Sequence, residues 1–197
     1  MPVHCCLSHA SGPMRWYEMW KAVHFLGLIA LFGSFVIHPR AGARLRAAAT
    51  VGEAREWLSF LQLTRGMFHG GAGMLLLSGI AMAVMRWGMA AVPFVTVGMV
   101  TVLVMWIVFA SMVAPHMRAV DAALGNGDGP VSPEQSRLIR RTRPWAAMLA
   151  INLMALAVLF EMTLKLGWIP AITLVSGGAV IGAVAGISSP PHREDRQ

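Results

Sequence analysis

The sequence predicts an all-α protein, a polytopic helical bundle built in a membrane. Of its 197 residues, 56% are hydrophobic and only 13% are charged, where a soluble domain carries about a quarter charged residues. Five apolar runs, 17–38, 66–87, 92–115, 146–168 and 169–188, follow one another along the chain. Each reaches the roughly 20 residues that a helix needs to cross a bilayer core of about 30 Å. Barrel strands are shorter, about ten residues, and alternate in polarity, which these runs do not. Little sequence remains for a soluble domain. The organisation expected is an N-terminal extension over 1–16 without fixed structure, a transmembrane domain over 17–188 and a short tail over 189–197.

Charge sets the expected orientation. The formal net charge is +7. In a membrane protein such an excess reports topology through the positive-inside bias, so no nucleic-acid partner is implied. Arg40, Arg44, Arg46, Arg55 and Arg65 follow or border span 1. Arg118, Arg137, Arg140, Arg141 and Arg143 follow span 3, and Arg193 and Arg196 lie in the tail. With five spans these segments share one face. Assigning it to the cytoplasm puts the N-terminus outside and the C-terminus inside, in a cell inner membrane whose lipid bilayer is the first partner. The opposite face holds only Arg15, Lys21, Arg86 and Lys165. Cys5 and Cys6 are adjacent and imply neither a disulfide framework nor a metal site. Met14 stands directly before Arg15-Trp16-Tyr17, where the interface begins, so either Met1 or Met14 serves as the natural start.

Span 1 opens with Trp16, Tyr17 and Trp20, an interfacial belt. Pro39 is expected to close it, because proline removes a backbone donor and restricts the residue before it. The basic segment 41–63 has an apolar stripe (Leu45, Ala48, Ala49, Trp57, Leu58, Leu61) and is expected to lie as a surface helix. In span 2, Met67, Met74, Met82 and Met85 are spread around the helix, which is core filling more than a copper-binding face. Trp106 in span 3 is expected to pack. Gly125-Asn126-Gly127-Asp128-Gly129-Pro130 breaks the chain after span 3, and Ser132-Pro133-Glu134-Gln135 reads as a helix start with proline first. Trp168-Ile169-Pro170 is expected to turn tightly into span 5. There Gly178, Gly182 and Gly186 form a small-residue ridge, which allows close helix approach either inside the monomer or between two copies. Val36-Ile37-His38-Pro39-Arg40 and Ala114-Pro115-His116-Met117-Arg118 echo each other. They reflect either an old duplication or ordinary helix endings at a membrane surface.

Ionisable side chains in hydrocarbon are costly and mark functional candidates. By helical rise, His24 and Glu161 each lie about 6 Å to the outer side of their span midpoints. Lys21 and Lys165 lie one turn further out, on the same helix faces. His24 and Glu161 are therefore expected to face each other. A second group, His38, His69 and His116, gathers toward the arginine-rich side, with Asn152 a little shallower. Histidines on three helices at one level fit a metal or the axial positions of haem. Candidate metal ligands are thus His24, His69, His38 and His116. Around His69, Gly66, Gly70, Gly71 and Gly73 leave room for either a flat macrocycle or a close neighbouring helix.

Span 1 reads Met19-Trp20-Lys21-Ala22-Val23-His24-Phe25-Leu26, then Gly33, then Pro39-Arg40. This resembles the first helix of a broad group of small bacterial membrane proteins. The group includes the haem-b-type protoporphyrinogen oxidase family and the copper-resistance D-like domains. The resemblance extends weakly through Arg65, Gly79 and Lys165. It implies a four-helix core and a haem b site using His24. His69, Lys21, Glu161 and Lys165 are the further cofactor candidates, with the lysines beside the propionates. Three features depart from the oxidase pattern: 92–115 holds no lysine, span 4 opens with Arg143-Pro144-Trp145 instead of an Asn-Glu pair, and the fifth, glycine-rich helix is extra. The architecture and a haem site are carried over, but the oxidase activity is not. His24 and His69 differ by roughly 18 Å along the membrane normal, so one iron does not use both. Three functions follow as expectations: a haem-b-binding, redox-linked protein; an accessory or assembly subunit; or a transporter of a metal or small solute.

Overall fold

A computed structural model describes residues 13–88 and 92–188. The described elements are α1 (Pro13–Ala47), α2 (Val51–Trp87), α3 (Pro93–Val108), a π-helical turn (Phe109–Val113), α4 (Ala114–Leu124), α5 (Pro133–Ile139), α6 (Thr142–Leu164) and α7 (Trp168–Ser188). Five stretches, Arg15–Ala47, Val51–Trp87, Pro93–Leu124, Pro133–Leu164 and Trp168–Ser188, are long and apolar enough to cross a membrane. The all-α, five-span architecture is therefore that of an integral membrane protein. Cys5, Cys6, Arg193, Arg196 and most of the expected N-terminal extension lie outside the described residues. From Pro13 onward the chain is already helical.

Two of the helices overshoot the bilayer. α1 has 35 residues and α2 has 37, so each is about 50–55 Å long against a hydrocarbon core of roughly 30 Å. The expected stop at Pro39 is overturned, since Pro39 lies inside α1. A proline inside a helix costs about 3 kcal/mol. Burying a leucine alone returns about 1.5–3 kcal/mol, and beyond Pro39 both Ala41 and Leu45 are buried, as are Ala54, Leu58 and Leu61 on α2. Packing outweighs the local penalty. The expected surface helix over 41–63 does not form either. Its residues are divided between the end of α1 and the start of α2, and part of its apolar stripe (Leu45, Leu58 and Leu61) is buried in the protein core.

The turn over 48–50 is well specified. Glu53 N donates to Thr50 Oγ1 at 3.3 Å and Ala49 N donates to Glu53 Oε2 at 3.1 Å, a reciprocal cap. The glycine-rich break after α4 is tied to this turn. Val51 N donates to Gly129 O at 2.9 Å and Val131 N to Ala49 O at 3.0 Å. Arg55 donates to the carbonyls of Gly125 and Gly127 and pairs with Asp128 at 3.7 Å. Both connections therefore sit at the same end of the bundle, as the charge pattern requires. The helix start at Ser132 is present, with a full capping box to Gln135 and Pro133 at the first position.

Span 3 does not end at Pro115. The π-helical turn precedes it, and Ala114 N reaches back to Phe109 O. This wider turn occurs where the α-helical ladder would meet a proline that has no donor and clashes with the preceding turn. The helix then continues to Leu124. Neither His38 nor His116 marks a helix ending, so their shared surroundings do not reflect termination chemistry.

α6 ends at Leu164, earlier than expected, because Lys165 takes the left-handed conformation at φ 51° as its C-cap. Lys165 N still bonds Glu161 O at 2.8 Å. The turn into α7 is thus 165–167, not Trp168-Ile169-Pro170. α7 then runs back along α6 with its glycine ridge inward. A Cβ on Gly178 would come within 3.0 Å of Leu153 O. On Gly182 it would come within 2.5 Å of Ala150 Cα, and on Gly186 within 2.5 Å of Ala146 Cα. The ridge is occupied within the chain, so it is closed to the second copy that a homodimer through these glycines would need. α1, α2, α3 and α6 surround a central cavity, and α7 flanks α6 with a smaller contact to α3.

Candidate functional site

The central cavity measures about 180 Å³ and lies toward the N-terminal end of the bundle, below Tyr17, Trp87 and Phe94. Its walls are His24 and Phe32 from α1, Leu75 and Met82 from α2, Met99 and Met105 from α3, and Met162 from α6. It is almost wholly apolar. His24 is its principal polar group. The imidazole Nδ1 lies 3.0 Å from Ser78 Oγ on α2. Ser78 is buried and its hydroxyl donates back to the carbonyl of Met74. A hydroxyl has one proton. That proton is engaged by Met74, so toward His24 the Ser78 oxygen accepts, and Nδ1 carries the imidazole proton. Nε2 then keeps its lone pair. Holding one ring nitrogen through Ser78 in this way fixes the imidazole and leaves the other as a ligand or hydrogen-bond acceptor.

His69 is held in the opposite sense. Trp106 Nε1, which can only donate, bonds to His69 Nδ1. The proton of neutral His69 therefore sits on Nε2, and no nitrogen is left with a free lone pair. Its ring is enclosed edge-on by Phe68 and Phe109, with centroids 5.5 and 5.2 Å away. Trp106 thus orients a histidine besides packing. Of the glycines around His69, Gly71 serves close helix approach: a Cβ there would lie 2.8 Å from Leu31 N and 2.9 Å from Gly27 O on α1. A close helix, not a macrocycle, accounts for it.

The expected convergence of histidines does not occur. His38 stacks on Phe109 with ring centres 6.3 Å apart, and His69 packs nearly perpendicular to the same ring at 5.2 Å. His116 lies edge-on to Trp145. His24 is held by Ser78. Among the described residues no group of three His, Cys, Asp or Glu side chains is placed to hold a metal. Of the expected metal set His24, His69, His38 and His116, each ring instead lies against a neighbour of its own: Ser78, Trp106, Phe109 and Trp145.

The remaining candidates disperse as well. Lys21 pairs with Glu18 at 2.7 Å and lies over the Tyr17 ring, both near the membrane boundary. Lys165 caps α6 and is exposed. Glu161 is fully buried, with neither carboxyl oxygen hydrogen-bonded. It continues the α6 face of Ala150 and Ala157 that meets α7, and it does not line the His24 cavity. His24 and Glu161 form no direct contact, because His24 has turned to Ser78.

A haem at His24 was the strongest implication of the span 1 motif. Its ligand nitrogen is present, but the cavity is not suited to it. Sites for drug-sized ligands and cofactors run to about 300–1,000 Å³, while this one holds about 180 Å³ among side chains from four helices. The residues present do not fit a porphyrin.

No family model, curated protein or solved structure matches this chain. The site therefore stands on its own geometry.

Ser78 was not singled out from sequence, although a depth comparison would have found it. His24 lies seven residues in from Tyr17 and Ser78 nine residues back from Trp87. On antiparallel helices those offsets put both about 10–14 Å from the same interface.

Proposed function

We propose that this protein binds a lipophilic molecule bearing a hydroxylated aromatic ring, of the quinol or phenol class, in the four-helix cavity, with His24 Nε2 accepting a hydrogen bond from the ring hydroxyl. The carrying observation is the Met74–Ser78–His24 relay, which leaves an acceptor nitrogen on the wall of an apolar chamber. Size supports an aromatic ring, since an apolar cavity of about 150 Å³ accommodates benzene. The wall chemistry agrees, because Met82, Met99, Met105 and Met162 supply the polarisable sulfur that favours ring contacts. An inner-membrane location with the N-terminus outside belongs to the same reading and would give the ligand access from the outer leaflet.

The test is to extract the purified protein with organic solvent, identify aromatic lipophiles, and titrate a short-chain quinol by the quenching of tryptophan fluorescence. His24→Leu is expected to abolish saturable binding. Ser78→Ala, which frees the tautomer, is expected to weaken it by about tenfold or less, the worth of one hydrogen bond. Binding unchanged in His24→Leu would remove the site. A Soret band in the purified protein would return the haem reading instead.

Orientation is tested separately. Reporter fusions after Asn126 and after Gln197 should both read cytoplasmic. A periplasmic signal at either position would invert the bundle or remove a span.

A further inference from the structure

A second cavity lies at the arginine-rich end, away from His24. It measures about 170 Å³ and is bordered by His38 and Arg46 of α1, Trp145, Leu149 and Asn152 of α6, and Gly186 of α7. Its polar groups are unusually short of partners. His38 is 1% exposed and both ring nitrogens lack a hydrogen bond. Asn152 is 8% exposed and its Oδ1 is also without one. Buried polar atoms in folded proteins are nearly always satisfied, so three orphans around one cavity call for an occupant that is polar itself.

Arg46 supplies the charge. Its Nε donates to Gly42 O at 3.2 Å and its guanidinium lies 5.0 Å from the Trp145 ring centre. Trp145 is fixed in turn by donating to Ile139 O at 2.8 Å. Gly42 is needed there because a Cβ would strike the Trp145 ring. The terminal amino groups of Arg46 remain available, and among the described residues no carboxylate pairs with it. A held, unpaired guanidinium is a recognition group for carboxylate or phosphate.

Depth decides between those anions. α7 has 21 residues, about 31 Å of helix, which is one bilayer core. Gly186 lies two residues before its end at Ser188, so the cavity mouth lies at the membrane surface, where lipid phosphates are. α1 and α7 both border the cavity, yet they form no substantial helix–helix interface with each other, which leaves a lateral opening over α6.

We infer that the His38–Arg46–Asn152 cavity is a binding site for a phosphate ester carrying free hydroxyl groups. Arg46 holds the phosphate. His38 and the Asn152 carbonyl take the hydroxyls, which both donate and accept as these two residues require. The chemistry is shared by a phosphatidylglycerol headgroup and by soluble glycerol phosphate.

The experiment uses the full chain in detergent, delipidated, and reads binding by native mass spectrometry and by the quenching of tryptophan fluorescence. Phosphatidylglycerol, phosphatidylcholine and glycerol 3-phosphate are titrated in separate arms. Selective retention of phosphatidylglycerol assigns the site to a headgroup; saturable binding of glycerol 3-phosphate with no lipid preference assigns it to a soluble ester. In either case Arg46→Gln and Asn152→Leu should each weaken binding about tenfold or more, with thermal unfolding confirming that both variants are folded. Binding that is unchanged in both folded variants overturns the proposal. So does the failure of all three probes to bind, which would leave water as the occupant.

Discussion

Gly182→Val is expected to undock α7 and lower the stability of the protein by about 3 kcal/mol or more, the upper range for overpacking. A Cβ at this position would come within 2.5 Å of Ala150 Cα, 2.7 Å of Leu149 O and 2.8 Å of Ala150 N. These are backbone atoms of a neighbouring helix, so no side-chain rotamer can relieve the contact. The whole helix must move, and the contacts at Gly178 and Gly186 would open with it. Gly177 is the control, because a Cβ there meets nothing within 4 Å. Gly177→Val should leave unfolding midpoints in mixed micelles near those of the parent. If the two variants unfold alike, the ridge is not what seats α7 on α6.

Glu161→Lys should be nearly as damaging. Glu161 is fully buried without a hydrogen-bond partner in the last turn of α6, and a lysine held there would leave an uncompensated buried charge, a change that costs about 3–5 kcal/mol. Glu161→Gln has the same shape and carries no charge, so it should be neutral or slightly stabilising. A pair in direct contact with His24 would show a coupling energy between the two substitutions. Here His24 is bonded to Ser78, so the effects of Glu161→Gln and His24→Leu on stability should add to within about 0.5 kcal/mol. A clear coupling in the double-mutant cycle would contradict that separation.

The polar candidates illustrate how far depth reasoning reaches in a membrane. Counting residues along a helix gave heights, and heights matched His24 with Glu161 and gathered three histidines at one level. Height leaves the rotation of each helix about its axis open. In the folded bundle His24 turns to α2 and finds Ser78, while Glu161 turns to α7. His38 stacks on Phe109, while His69 meets the same ring nearly at right angles. The tautomers that separate His24 from His69 depend on which neighbour donates and which accepts, and those neighbours, Ser78 and Trp106, lie 54 and 37 residues away in the chain.

Proline and glycine were misread for a related reason. Pro39 and Pro115 are strong local stops, but each sits where long-range packing or a π-helical turn outweighs a penalty of about 3 kcal/mol. Gly71 served equally as space for a cofactor or for a helix until α1 was seen to approach it.

Hydropathy, chain length and arginine placement by themselves dictate five membrane-crossing helices and group the two arginine-rich connections on one face, because lipid forces every backbone group into a helix and the count of spans fixes sides. The partners of the buried polar groups, the close α6–α7 contact and the two cavities were decided only by tertiary structure. Lipid solvates all apolar faces of a helix alike, so composition does not say which face turns inward. That choice falls to a few small residues, Gly71, Gly182 and Gly186, whose missing side chains let backbones meet and so set the rotation of every side chain around them.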